Sequence, residues 1–174
     1  MLNFLHLPFI TNVTGISSPM KLIRNTKEMC AHMQEVRLLR KEIGFVPTMG
    51  ALHQGHLSLV NEAQSDTDYV VVSIFVNPTQ FNSTSDFINY PDEIDQDLEL
   101  LNEQGVDCVF LPNSNDLYAN KSPLKFDFGF LEREMEGKFR PGHFNGVATV
   151  VAKFFHIVHP HKSYFGQKDI QQVA

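Results

Sequence analysis

Val46-Pro47-Thr48-Met49-Gly50-Ala51-Leu52-His53-Gln54-Gly55-His56 is the stretch on which the reading of this chain turns. A short apolar run, Ile43 to Val46, leads into it, and an amphipathic segment beginning near Leu57 leaves it. It therefore reads as a strand-to-helix turn. The first backbone N–H groups of a helix have no partner inside the helix, and its dipole adds partial positive charge, so such a turn attracts an anion. Gly50 and Gly55 lack a Cβ and let a phosphate or a second backbone come close. His53 and His56 add imidazole donors on the same side of the turn, and the residues together predict a phosphate-rich ligand. A His-x-Gly-His tetrapeptide is by itself a weak signal. Zinc is the competing reading for two histidines. The two cysteines, Cys30 and Cys108, are distant from each other and from the turn, and no metal-ligand spacing links them. No structural metal is expected.

Working outward, the 174 residues are enough for one well-cored domain, with 43% hydrophobic residues, no tryptophan and fifteen phenylalanines. A net charge of -6 without a basic run argues against a nucleic-acid surface. No stretch approaches the roughly 20 apolar residues of a membrane span. Two unpaired-looking cysteines suit a reducing compartment. Residues 1–19 contain no Lys or Arg before their apolar stretch, which makes a poor signal peptide, and Thr11 to Pro19 is turn-like. Met20 stands directly before the first regular segment. Residues 1–19 are accordingly expected to be an upstream extension, either flexible or an artefact of start-site choice, and residues 20–174 the folded domain.

Along that domain, Lys21 to Ile23 reads as a short strand. Thr26 is the expected N-cap of a helix carrying Met29, Met33, Val36 and Leu39 at helical spacing. Ile43 to Val46 is a buried strand, and a helix follows from about Gly55 to Gln64 with Leu59, Val60 and Ala63 inward. Tyr69 to Val76 is a β-branched run suited to a parallel strand covered on both faces. Asn77 to Tyr90 is expected as polar loop. A second helix presents Ile94, Leu98 and Leu101, with Gly105 past its end. Val106 to Leu111 is a strand, Asn113 to Pro123 loop, Leu124 to Phe128 a short edge strand, and Glu132 to Phe144 a charged, glycine-punctuated stretch. Val147, Val150, Val151, Phe154, Phe155 and Val158 form the cleanest helical stripe. Ser163 to Phe165 is a last strand, and Gly166 to Asp169 opens another helix. Alternating strands and helices predict an α/β fold, a Rossmann-like parallel sheet with helices on both faces, whose ligands bind at the carboxyl ends of the strands.

Further chemistry falls at those strand ends. Phe75 to Phe81 offers two amides, and the Gln80 amide can grip a hydroxy-acid through hydroxyl and carboxylate together. Glu136 to Phe144 carries two cations and two glycines. Phe165 to Asp169 places a glycine, Lys168 and Asp169 at another turn, where the lysine can neutralise phosphate and the carboxylate can meet a ribose hydroxyl or Mg²⁺. Each is weak alone; at successive strand ends of one sheet they reinforce one another. The blocks Val46 to His56, Ser73 to Phe81, Tyr90-Pro91, Glu136-Gly137, Arg140 to Phe144 and Phe165 to Gln172 resemble the pantothenate synthetase (pantoate–β-alanine ligase) family, of the HIGH-type nucleotidyltransferase superfamily. The resemblance covers nearly everything from Met20 onward.

It implies an ATP-dependent, cytoplasmic ligase of pantothenate biosynthesis, typically a homodimer, that joins pantoate to β-alanine through a pantoyl adenylate with release of pyrophosphate and AMP, using ATP and Mg²⁺. It assigns Pro47, Thr48, Met49, Gly50, Ala51, Leu52, His53, Gln54, Gly55 and His56 to the ATP site, with His53 and His56 on phosphate and His56 as proton donor. It assigns Gln80 and Gln172 to pantoate, Gln80 lying also near β-alanine. Gly166, Gln167, Lys168 and Asp169 go to the nucleotide, Lys168 on phosphate and Asp169 towards ribose or metal. The helix from His143 is expected as scaffold. Gln167, Ile170 and Asp92 depart from the family's usual Glu, aromatic and basic residues. Family members continue into a phosphate-binding segment and a closing C-terminal domain, so the chain is expected to be an N-terminal portion. An ATP-binding fragment without turnover, and a nucleotidyltransferase with another acceptor, are the alternative readings.

Overall fold

A computed structural model describes residues 19–119 and 125–169. Five strands form one fully parallel sheet: β1 (Lys21–Ile23), β2 (Ile43–Thr48), β3 (Tyr69–Ile74), β4 (Cys108–Phe110) and β5 (Lys162–Ser163), in the spatial order β1-β4-β3-β2-β5. The helices are α1 (Thr26–Leu38), α2 (Gln54–Asp66), α3 (Thr84–Ile88), α4 (Ile94–Glu103), α5 (Ser114–Leu117), α6 (Met135–Phe139) and α7 (His143–Val158). The sequence expectation of a Rossmann-like sheet covered on both faces holds.

The alternation of side chains along the strands explains the two layers. Phe45, Val71, Cys108 and Phe110 face α1 and α7, burying Met29, Met33, Val36, Val150, Phe154 and Val158. Val46, Val70, Val72 and Val109 face the other way, onto Val60 and Ala63 of α2 and Leu101 of α4. A strand buried on both faces is apolar at nearly every position, and β3 reads as a near-continuous run broken only by the buried Ser73. Phe154 fastens α7 by edge-to-face contacts with Phe45, Phe75 and Phe110, with ring centroids 5.8, 6.2 and 6.0 Å apart. Leu57, Val60 and Ala63 form the buried face of α2, with Leu59 only partly covered.

The chain runs outward from β2 to β3 to β4 through helices on one face, then returns through α7 on the other face to lay β5 against the opposite side of β2. The direction of winding therefore reverses between β2 and β5. In an open parallel sheet that reversal opens a crevice at the carboxyl ends of the two strands. The turn after β2 and the turn after β5 both empty into it.

Several local expectations are corrected. Asn25, not Thr26, caps α1: its side chain accepts from the Glu28 N–H at 2.8 Å, while Thr26 donates its own N–H and hydroxyl to Asp116 at 2.6 and 3.0 Å. Strand β2 runs on through Pro47 to Thr48. The polar loop from Asn77 to Tyr90 contains a 3-10 turn, Pro78–Gln80, and the Ser83-capped helix α3, because Asn77 and Ser83 satisfy the first N–H groups of each. The loop from Asn113 contains α5, and the span from Glu132 to Phe144 contains part of a 3-10 turn (Gly129–Arg133), α6 and the start of α7. Residues 125–128 form no strand: the Phe126 and Phe128 rings stack on each other, and Phe128 packs on Phe144 of α7. Alternating aromatics here cover a helix instead of joining a ladder. Gln167–Asp169 forms a 3-10 turn, and the helix expected to open there falls on residues outside those described. The expectation for residues 1–19 lies outside the described residues except at Pro19.

Burial pushes the Cys108 thiol up to about 12, whereas Cys30 is partly exposed. The thiolate is the reactive form, and a disulfide reagent used at about pH 8 reaches an accessible thiol before a buried one. A disulfide reagent at that pH should therefore modify one thiol per native chain, at Cys30, and both only after unfolding. Two rapid equivalents from the native protein would contradict the burial of Cys108.

Candidate active site

At the end of β2 the backbone turns through two consecutive left-handed residues, Gly50 (φ 84°) and Ala51 (φ 51°). A Cβ at position 50 would come within 2.9 Å of an Asp97 carboxylate oxygen, so glycine answers both the dihedral and the space. Thr48 braces the turn from below, its hydroxyl donating to the Ser73 carbonyl at 2.8 Å and accepting the Gly50 N–H at 3.2 Å. Leu52 turns its side chain into the core, 9% exposed.

His53 then caps α2. Its Nδ1 accepts the Gly55 N–H at 3.0 Å, and the His56 Nδ1 accepts the His53 N–H at 3.4 Å, a reciprocal capping box built from two imidazoles. The ring centroids lie 4.1 Å apart. An Nδ1 that accepts carries no proton, so each neutral ring holds its hydrogen on Nε2. Two Nε2–H donors thus stand side by side at the positive end of a 13-residue helix. The capping that makes the helix also sets the tautomer that makes the donors.

The β3 side of the crevice is built around Asn77, 1% exposed. Its Nδ2 donates to Gln80 Oε1 at 3.1 Å and to the Gly146 carbonyl at 3.1 Å. Its Oδ1 accepts from the Thr79 N–H, the Thr79 hydroxyl and the Tyr118 hydroxyl at 3.3, 2.9 and 2.7 Å. Held in this way, Gln80 directs its Nε2 onto Met49 Sδ at 2.9 Å, which brings the predicted amide against the histidine turn. The buried His143 ring contacts the Gln80 carbonyl through Nδ1 at 2.9 Å and donates there, since a carbonyl can only accept. A side chain at Gly146 would collide with the Thr79 carbonyl, so glycine lets α7 close against this turn. His143 and Gly146 are thus the residues through which α7 supports the Gln80 turn.

On the far side, β5 pairs with β2 (Gly44 opposite Lys162, Phe45 opposite Ser163), and the Tyr164 N–H donates to the Phe45 carbonyl at 2.9 Å. Gly166, Gln167, Lys168 and Asp169 follow at once, with the Asp169 N–H on the Gly166 carbonyl at 2.9 Å. Topology thus brings this backbone turn to the edge of the crevice beside the histidine turn. Gln172 lies outside the described residues. Among the described residues no group of three or more His, Cys, Asp or Glu side chains converges as a metal site, and no helix is long and apolar enough to cross a membrane.

Asp97 and Asn77 were not among the site residues expected from sequence. Asp97, 1% exposed on α4, accepts the Ala51 N–H at 2.9 Å through Oδ2 and the Leu52 N–H at 2.7 Å through Oδ1. Its only sequence signal is an acid in the first turns of a helix, where the dipole favours one anyway. Asn77 precedes a proline and reads as an ordinary turn residue.

A doubly wound parallel sheet with a histidine-capped helix at its reversal point defines a HIGH-type nucleotidyltransferase domain. The sequence model of the family described as pantoate-beta-alanine ligase matches residues 21–174, and this chain belongs to that family. The pantothenate synthetase of Cytophaga hutchinsonii is 48% identical over 152 residues, 87% of this chain and 54% of that protein. That of Thermotoga petrophila is 50% identical over 153 residues, 88% of this chain and 55% of that protein. A crystal structure of pantoate-beta-alanine ligase from Francisella tularensis, complexed with beta-gamma ATP and beta-alanine, matches with a TM-score of 0.85 at 44% identity, over 88% of this chain and 59% of that one. The chain spans about half the length of the curated relatives it matches.

Asn77→Ala removes five hydrogen bonds and leaves the Gly146 carbonyl without this donor. The expected cost is about 1–3 kcal/mol, read by urea unfolding. Stability equal to the parent chain would show that the network is not organised by Asn77.

Proposed function

We propose that this chain carries the ATP- and pantoate-binding half of a pantoate–β-alanine ligase. The observation that carries the reading is the pair of Nε2–H imidazoles at the N-terminus of α2, with the Gln80 amide held 2.9 Å from Met49 on the adjoining wall. Membership of the family and the ATP and β-alanine bound to the Francisella relative support it.

In the first step a pantoate carboxylate oxygen attacks the α-phosphorus of ATP. A phosphorus–oxygen bond forms, the bond to the β-phosphate bridge breaks, and pyrophosphate departs with its electron pair. Negative charge accumulates on the phosphate oxygens as this happens. Donors fixed in advance lower that barrier without reorganising, and His53 and His56, backed by the α2 dipole, are such donors. His56, whose Nδ1 is anchored on the His53 N–H, presents its Nε2–H to the phosphates. No protein nucleophile is required, and alignment of the two substrates supplies the rest. In the second step the β-alanine amine attacks the acyl carbon, AMP leaves, and the nitrogen loses a proton to give the amide.

Gln80 and Gln172 are the proposed pantoate ligands, and the backbone and side chains of residues 166–169 the nucleotide ligands. Pro47 and Thr48 contribute through backbone, Met49, Ala51 and Gln54 through surface at the turn, and Leu52 by anchoring the turn to the core. Magnesium is normally held by one or two carboxylates together with substrate phosphates. The lone Asp169 fits that pattern, and the ion would neutralise phosphate charge. A homodimer in the cytoplasm is the assembly and location this reading carries with it.

ATP–pyrophosphate exchange measured with and without pantoate tests the proposal on this chain. Pantoate-dependent exchange is expected; exchange driven by a different acceptor would replace the ligase with another nucleotidyltransferase, and ATP binding without exchange would leave a binding domain. Where exchange is present, His56→Ala should abolish it while the circular dichroism spectrum is preserved, and near-parent exchange would remove His56 from the chemistry. Gln80→Ala should weaken pantoate by roughly 0.5–1.5 kcal/mol, the net worth of one hydrogen bond, with ATP affinity unchanged. Unaltered pantoate affinity would count against the Gln80 assignment.

A further inference from the structure

Two adjacent left-handed residues, one of them alanine, do not persist without support. The left-handed region is sterically unfavourable for an L-residue with a Cβ. The Ala51 and Leu52 N–H groups converge on one point, as successive amides in a turn do when they form an anion-binding concavity. Here that concavity is already filled, from the core side, by the two oxygens of Asp97 at 2.9 and 2.7 Å. A carboxylate that is 1% exposed would be unfavourable if unpaired. Its charge is met by these two amides and lies directly behind the turn, and the same Asp97 oxygen is the atom that a side chain at position 50 would strike. The amides of Ala51 and Leu52 are thus spoken for by the protein. A phosphate arriving at the crevice meets His53, His56 and the end of α2 in their place.

The segment that leads into the Asp97 helix packs on the other wall. Tyr90 lies close enough for the Asp97 charge, after burial, to raise its phenol above the ordinary value. The Tyr90 ring packs edge-on against Phe81 at 5.9 Å, and Phe81 directly follows Gln80.

We infer that Asp97 is a positioning residue for phosphate recognition: by holding the Ala51 and Leu52 amides from within, it sets the left-handed turn and thereby aims His53 and His56 at the ligand. The inference rests on the reading of the histidine turn as a phosphate-binding wall. Asp97→Asn is nearly the same size, but one of its two contacts becomes an N–H facing an N–H. Asp95→Asn, on an exposed residue of the same helix turn, changes charge equally without touching the loop.

The test measures MgATP affinity of the chain by calorimetry, together with the ring ¹⁵N shifts of His53 and His56. Asp97→Asn should weaken MgATP by roughly tenfold or more, the loss appropriate to a charge-assisted contact, and should change the Nε2–H pattern of both rings. Asp95→Asn should leave both readouts as in the parent. Parent-like affinity and ring shifts in Asp97→Asn would overturn the inference. If the parent itself does not bind MgATP, the phosphate reading of the turn fails, and the ring shifts alone decide Asp97. If Asp97→Asn does not fold, the parent's Ala51 and Leu52 amide protons decide: slow exchange and downfield shifts are expected, and exchange as fast as an open loop would refute the clamp.

Discussion

Strand β2 is the element on which the rest depends. It pairs along its length with β3 on one side and, at Gly44 and Phe45, with β5 on the other, and it is covered by helices on both faces. A strand so enclosed can release the chain in one direction only, at its carboxyl end. Because winding reverses between β2 and β5, that end opens on a crevice instead of a packed layer. The chemistry of residues 49–56 follows from this placement: the turn needs left-handed backbone to clear the sheet, and the helix that starts there needs a cap.

Capping and ligand recognition are the same set of bonds at this site. Serine, threonine or aspartate would cap α2 with an acceptor and have little left for a ligand. Imidazole accepts with one ring nitrogen and donates with the other, so His53 and His56 finish the helix and present donors outward in one arrangement. The electrostatics are consistent with that division. The acid in contact with the turn, Asp97, is buried behind it with its oxygens spent on backbone amides, and the outward side is left to donors and the helix dipole.

The opposite wall obeys a different rule. Gln80 is held not by its own helix, which is only three residues long, but by a buried asparagine that links it to α7 and to Tyr118. Amide side chains suit such a hub because they donate and accept at once, and five partners leave little room for an alternative rotamer. The close approach of α7 that completes the hub depends on the absence of a side chain at Gly146.

Much of this was legible in the sequence, and the reason is locality. Strand and helix order, the enclosed β3 run, the α7 stripe and the placement of His53, His56 and Gln80 at strand ends all follow from hydrophobic period and turn chemistry within about ten residues. The misreadings were local as well: Phe126 and Phe128 alternate as a strand would, and only their packing on α7 shows otherwise. What sequence could not disclose were interactions across long separations. Asp97 reaches back 45 residues to Leu52 and 46 to Ala51, and Asn77 reaches forward 69 to Gly146. An acid near a helix start and an asparagine before a proline have sufficient local reasons to exist, so their identity carried no trace of the second task. The sequence by itself determined the elements and the donors; tertiary structure decided which buried groups hold those donors in place, because a hydrogen bond between distant segments exists only once the sheet has brought them together.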